Sequence, residues 1–219
     1  MSSTMITRQR LIRSAGALFV VAPAGLVRAQ GQADCKPSDC AAKCGPTGAA
    51  IEGPYHVRNI APAVDINAHR ARGKPMRVSG VVHGDVDGKT ALAGAKVEIW
   101  QCDSEGNYHP NGNGDVSRYR PAEINLRGVT KTDAQGRFSF DSIVPGTYGT
   151  RRRHIHWRFE ASGHQAVTTQ TYWLKDKGSI RARTDFVDRD VESCRWLSFA
   201  DGPQGVEEAF FAVQLIKKA

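Results

Sequence analysis

Seven short runs rich in β-branched and aromatic residues, each closed by a turn, commit this chain to a β-sheet fold. They are Met76 to Val82, Ala95 to Gln101, Arg127 to Thr132, Arg137 to Ile143, His154 to Glu160, Val167 to Leu174 and Ala209 to Ile216. Between them lie Asp87-Gly88, Glu105-Gly106, Gln135-Gly136, Pro145-Gly146 and Ser162-Gly163. Such dipeptides turn the chain because glycine reaches left-handed φ at no steric cost and proline fixes φ. No amphipathic run of helix length interrupts the series, and only Gly205 to Phe211 is ambiguous. Short strands at this spacing predict an all-β fold, an antiparallel β-sandwich.

The 219 residues suffice for one well-buried domain, predicted over residues 51–219. At the N-terminus, Arg8, Arg10 and Arg13 precede the apolar run Ala15 to Val27, and Val27-Arg28-Ala29 places small residues where a signal peptidase reads. Residues 1–29 therefore read as a signal peptide cleaved after Ala29, which predicts an exported protein, periplasmic or extracellular. The apolar run is short and broken by Pro23 and Gly25, so no membrane association is expected after cleavage. Gln9 separates Arg8 from Arg10, which leaves general and twin-arginine export both open. Residues 30–50, small and polar without a sustained period, read as an irregular Cys-containing tail.

All five cysteines, Cys35, Cys40, Cys44, Cys102 and Cys194, lie beyond the cleavage point. An odd count in an exported chain leaves at least one thiol unpaired or intermolecular. The Cys35/Cys40/Cys44 cluster reads as a disulfide-stapled tail in preference to a metal knuckle, with connectivity open. The formal charge of +8 overstates the mature chain, because Arg8, Arg10, Arg13 and Arg28 leave with the signal. The most conspicuous remaining run is Arg151-Arg152-Arg153, and no stacking aromatics are interleaved with a basic groove pattern. Nucleic acid is therefore not an expected partner. Monomer and homo-oligomer both remain open.

The chemistry centres on the strand that follows those arginines. Side chains alternate in a strand, so His154 and His156 point one way while Ile155 and Trp157 point the other. Two imidazoles at i and i+2 make a pair of metal ligands, although a solvated edge strand has the same spacing. Two tyrosines are delivered nearby by turns: Tyr148 after Pro145-Gly146, and Tyr108 after Glu105-Gly106-Asn107. Phenolate is a hard anionic donor, so this mixed set suits ferric iron better than zinc or cuprous copper. The loop from His109 to Asn125, rich in Asn, Gly and Pro, offers a wall for a pocket.

Taken together, Glu52-Gly53-Pro54-Tyr55, Gly94 to Gln101, Gly106-Asn107-Tyr108, Thr132 to Phe138, Pro145-Gly146-Thr147-Tyr148, His154-Ile155-His156 and Thr168-Thr169-Gln170 form an ordered series. The series resembles the intradiol ring-cleavage dioxygenases, the non-haem ferric family that includes catechol, hydroxyquinol and protocatechuate dioxygenases. Each piece is weak alone, and the order makes the set specific. The resemblance implies ferric iron as cofactor, Tyr108 and His154 as equatorial ligands, Tyr148 and His156 as axial ones, and water or hydroxide in the fifth place. It implies a catecholic substrate that displaces Tyr148, dioxygen as co-substrate, and a cis,cis-muconate-type diacid as product. Arg151 matches the family's active-site arginine, placed to stabilise the ketonised catecholate, and Gln170 matches its supporting glutamine. Arg152 and Arg153 match no catalytic position and are expected to be solvated or at the pocket rim, where either can meet a substrate carboxylate. The connection from Tyr148 to His154 is shorter than in the cytoplasmic members and resembles exported, compact ones.

Two other readings compete. A non-catalytic β-sandwich binding module of the transthyretin-like or carboxypeptidase-associated kind shares the Gly-Ala-x-Val and Asp-x-x-Gly-x-Phe logic, but has no need for the four ligand candidates. A zinc or copper site would make two tyrosines an odd choice of donors.

Overall fold

A computed structural model describes residues 44–219 of the chain. The expected signal peptide, Cys35 and Cys40 lie outside the described residues. In chain order the strands are β1 (Val57–Arg58), β2 (Pro75–His83), β3 (Lys96–Trp100), β4 (Gly114–Asp115), β5 (Arg127–Lys131) and β6 (Arg137–Ile143). They continue with β7 (His154–Glu160), β8 (Val167–Trp173), β9 (Trp196–Leu197), β10 (Ala200–Asp201) and β11 (Glu207–Gln214). A four-stranded sheet, β10-β11-β2-β6, faces a five-stranded one, β5-β3-β7-β8-β9. All seven strands expected from the sequence are present, with ends shifted by a residue or two.

The period of two decides what lies between the sheets. Along β7 the inward residues are Ile155, Trp157 and Phe159, joined by Val97 and Ile99 of β3. Val78, Phe138, Phe140 and Phe211 meet them from the opposite sheet. Fully burying side chains of this size is worth about 1.5–3 kcal/mol each, so this inner layer holds the sandwich together. Trp157 also satisfies its one donor, giving Nε1–H to Thr171 Oγ1 at 2.9 Å.

Two features were not visible as local patterns. Most pairing is antiparallel, but β11 runs parallel to β2 over eight residue pairs, and β9 parallel to β8. Parallel neighbours need a crossover connection rather than a hairpin, and β11 reaches β2 from the far end of the chain. The second is the connection between β8 and β9, which contains a five-residue helix, α1 (Ile180–Thr184), N-capped by the Ser179 side chain. One turn is too short to leave a period in the sequence. Gly205 to Phe211 resolves into the end of a 3-10 turn, Pro203–Gly205, followed by β11. The His109–Asn125 loop carries β4 and 3-10 turns at Val116–Arg118 and Pro121–Glu123.

The described end of the tail lies against the sandwich. Cys44 is bonded to Cys194, Gly48 N–H donates to Glu192 at 2.6 Å, and Ala50 N–H donates to Thr168 O at 2.9 Å. Among the described residues Cys102 is a free thiol, and it is buried. No helix among them is long and apolar enough to cross a membrane.

Candidate metal centre

Because Ile155 and Trp157 face inward, His154 and His156 face outward from the five-stranded sheet. Pairing register brings the rest of that face together: Trp100 and Gln170 stand directly beside His156 on its two neighbouring strands, and Tyr172 stands beside His154. An outward face would normally meet water, yet His154 and His156 are 2 % and 1 % exposed. The covering comes from connections, chiefly residues 51–57, 102–109, 145–151 and the β8–β9 segment.

Tyr108 arrives on a turn fixed by Asp103, whose carboxylate accepts the backbone N–H groups of Glu105 and Asn107, both at 2.9 Å. Gly106 has a φ of +94°, and a Cβ there would stand 2.4 Å from Thr147 O, so only glycine lets this turn lie against the Tyr148 turn. Arg127 ties the same region down by donating to the carbonyls of Tyr55, His109 and Pro110. Burial lowers its pKa to about 10, still well above neutrality. Three donors then converge. The Tyr108 hydroxyl lies 3.4 Å from His154 Nε2 and 3.1 Å from His156 Nε2, and the two Nε2 atoms are 3.1 Å apart.

The tautomer of His154 follows from its other nitrogen. Nδ1 is 2.6 Å from the Arg152 carbonyl, which only accepts, so Nδ1 carries the hydrogen and Nε2 offers its lone pair to the site. His156 Nδ1 is buried and meets no partner among the described residues. Burial pulls the His154 pKa down to about 3, with the Arg151 charge adding to the effect. His156 is lowered well below the ordinary value by burial, then by His154 and Arg151. Burial likewise raises the Tyr108 phenol well above its usual value. Two neutral imidazoles and a phenol with little other solvation form a donor set that a hard cation would complete, reversing the preference of Tyr108 toward phenolate. The residues thus fit ferric iron. Among the described residues no three His, Cys, Asp or Glu side chains gather as a metal-binding group, which leaves the His/Tyr set as the candidate.

Tyr148 stands at the edge of this cluster. Its ring centroid is 5.3 Å from that of Tyr108 and 5.6 Å from that of His154, and it is half-buried where Tyr108 is buried. The short connection to β7 begins with a tight turn, Arg151 N–H donating to Tyr148 O at 2.9 Å. Arg151 is buried, with Nε 3.0 Å from both oxygens of Asp185 and one terminal nitrogen donating to Gln170 Oε1 at 2.6 Å. Gln170 in turn donates Nε2–H to Ile51 O at 2.8 Å. All six site residues expected from the sequence therefore meet in one place.

The expectation for the neighbouring arginines needs correction. Arg152 is 3 % exposed, lies over the Tyr172 ring at 4.3 Å, and has Nε 3.3 Å from Asp185. Arg153 pairs with Asp176 at 2.6 Å and lies over Trp173 at 4.7 Å. Carboxylates from the β8–β9 segment hold both: Arg152 is buried and is not a rim charge, whereas Arg153 is half-buried, lines a cleft with Thr147 and Ile180, and is paired.

Sequence reasoning assigned no individual role to several residues here. Trp100 stacks on His156 at 4.9 Å and 8°, and Tyr55 stacks on Tyr108 at 4.2 Å and 15°. Gly53, with φ +77°, would place a Cβ 3.3 Å from His156 Cε1. Asp185 gave no sequence signal at all. A groove of about 890 Å³ lies on the outer face of the four-stranded sheet, among Arg77, Val81, Arg137 and Phe210, and no site residue lines it.

The family model described as "Dioxygenase" matches residues 51–192. The chain is 31% identical over 147 residues to catechol 1,2-dioxygenase of Candida albicans, covering 58% of this chain and 46% of that protein. It is 33% identical over 164 residues to 6-chlorohydroxyquinol 1,2-dioxygenase of Cupriavidus pinatubonensis, covering 65% and 54%. The chain thus spans about half the length of the curated relatives it matches. Among solved structures, the dioxygenase domain of a dioxygenase carbohydrate-binding protein fusion from Streptomyces sp. SirexAA-E superposes with a TM-score of 0.63 at 29% identity, covering 79% of this chain and 99% of that one. Catechol 1,2-dioxygenase from Pseudomonas arvilla C-1 superposes with a TM-score of 0.62 at 28% identity, covering 79% and 63%.

Proposed function

The chain belongs to the intradiol ring-cleavage dioxygenase family, and from that footing we propose that it is a ferric enzyme that opens a catechol-type ring with dioxygen. The bond cleaved is the one between the two hydroxylated carbons, and the product is a muconate-type diacid. The observation that carries this reading is the convergence of the Tyr108 hydroxyl and the two Nε2 atoms within 3.1–3.4 Å of one another, beside a buried guanidinium.

Tyr108, Tyr148, His154 and His156 would hold the iron. When bound, ferric iron supplies Lewis acidity that lets phenols and the diol bind deprotonated, and it draws electron density from the bound diolate so that the ring reacts with dioxygen. The protein's own groups do the rest. Tyr148, half-buried, would be the donor best placed to give way to the diol, and its phenolate oxygen would then be free to take a diol proton. Tyr108, fixed by Tyr55 and the Asp103 turn, would keep its place. Arg151 keeps its charge, because Asp185 more than offsets the burial that opposes it and holds the pKa above the ordinary value. That charge stabilises negative charge developing on the ring carbons. Trp100 and Tyr55 pack against the ligands and keep water from them.

Residues 1–29 act in this reading as an export signal, so the enzyme works outside the cytoplasm. N-terminal sequencing of the secreted protein should begin at Gln30, and retention of Met1 in the mature chain would refute it. The catalytic reading is tested by iron content and an anaerobic visible spectrum before and after catechol. A phenolate-to-iron band that moves to longer wavelength with catechol, followed by turnover on admitting oxygen, is expected. A protein that stays colourless after ferric reconstitution would overturn it in favour of a binding module.

A further inference from the structure

The guanidinium of Arg151 is not free to choose its orientation, and one of the two groups that fix it lies beyond the ordered motif series, which ends at Gln170. Asp185 sits just beyond α1, and its side chain is fully buried. Both its oxygens lie 3.0 Å from Arg151 Nε, while Arg152 N–H donates to Oδ2 and Val187 N–H to Oδ1, each at 3.2 Å. Gln170 takes one terminal N–H of Arg151 on the other side. A guanidinium has five donors in a rigid plane. With Nε held by Asp185 on the β8–β9 connection and one terminal N–H held by Gln170 on β8, the plane is set, and with it the direction of the remaining N–H groups.

The segment that carries Asp185 is itself anchored. Asp188 Oδ1 accepts from Arg195 at 3.1 Å, Asp188 Oδ2 accepts from the Tyr172 hydroxyl at 2.5 Å, and Cys194 is bonded to Cys44. Asp185 is therefore presented from a fixed support rather than from a loose loop. On the reading of the site given above, we propose that Asp185 is a positioning residue for the reaction: it holds the Arg151 guanidinium in the plane from which it stabilises the ring-centred negative charge, without touching substrate or metal itself.

A charge that only neutralised Arg151 would affect stability and little else. A positioning residue must act on turnover, and only through Arg151. The test is a double-mutant cycle on the iron-loaded protein with Asp185→Asn and Arg151→Ala, reading kcat, KM for catechol, iron content and the visible band. Asp185→Asn is expected to lower kcat by about 10- to 100-fold, the scale of a misplaced catalytic group, with iron content and band unchanged. In the Arg151→Ala background the same substitution should change kcat by less than about twofold. Asp185→Ser, which leaves room for water against the guanidinium, serves the same cycle if Asp185→Asn does not fold. Equal losses of kcat in both backgrounds, or no loss in either, would overturn the positioning role while leaving the dioxygenase reading intact. Iron-loaded wild-type protein that turns over no ortho-diol would overturn both.

Discussion

The two faces of the five-stranded sheet are both dry, and they are kept dry by opposite means. The inner face is sealed by a second sheet, and its residues, such as Ile155, Trp157 and Phe159, need only volume and shape. The outer face is sealed by turns and connections, and its residues carry polar atoms, most of which meet a specific partner: His154 Nδ1 on Arg152 O, Gln170 on Ile51 and Arg151, Arg151 on Asp185. Buried apolar area tolerates approximate packing, whereas a buried polar atom without a partner costs about 1–3 kcal/mol. One side of the sheet is thus built for stability, and the other uses that stability to hold donors in place.

Substitutions at adjacent positions should separate the two faces. The largest effect is expected from His156→Ala, which should abolish turnover by emptying the iron site while leaving the sandwich folded; metal analysis after ferric reconstitution checks it, and full occupancy would remove His156 from the ligand set. One residue further on, Trp157→Ala should do the reverse. Loss of that ring should cost about 3–5 kcal/mol of unfolding free energy in urea, with iron retained by the molecules that remain folded. Arg151→Ala should keep near-normal iron and lose about 10²- to 10³-fold in kcat, the scale for a removed charge stabiliser. If it lost iron and kept turnover per iron, the outer face would be a scaffold for metal alone.

Two smaller effects sharpen the contrast. Gly53→Ala forces a left-handed residue to carry a Cβ 3.3 Å from the His156 ring, and should cost about 1–2 kcal/mol. Its mark on the outer face should be a shifted visible band, and an unchanged spectrum would mean that the 51–57 segment yields instead. Acid should loosen the covering before the core. Burial opposes the charge of Asp188, but bonds from Arg195 and Tyr172 outweigh it and hold the pKa below the ordinary 3.8. A depressed carboxylate stabilises fully above the unfolded value and loses that contribution as pH falls through the folded one. Below about pH 4, hydrogen exchange in residues 185–195 should therefore rise before exchange in β7; simultaneous loss would mean that the covering and the core unfold as one unit.

The same contrast explains what was legible in the sequence. The alternation in His154 to Glu160 and the Pro-Gly turn before Tyr148 are local, and local physics decides strand, face and turn from them. Hence the strands and the shared face of His154 and His156 could be placed without coordinates, whereas Arg151 and Gln170 were marked only by the resemblance to a family. The parallel seating of β11 on β2 depends on residues more than 120 positions apart, for which no short-range rule exists. Arg152 reads as a surface charge by composition, and only the arrival of Asp185 and Asp188 from a later connection makes its burial tolerable. Asp185 itself lies in Arg-Thr-Asp-Phe-Val, a stretch with no period and no motif.

Pairing of β7 with β3 and β8 has a consequence for how this protein is made. Sliding β7 by a single residue against its neighbours would turn both imidazoles into the hydrocarbon layer and bring Ile155 and Trp157 out among the polar groups. The wrong alignment would forfeit the core and the outward pair of histidines together. Newly synthesised chains are thereby sorted in one step: a molecule that has aligned this strand well enough to survive has, by the same act, assembled its pair of histidines.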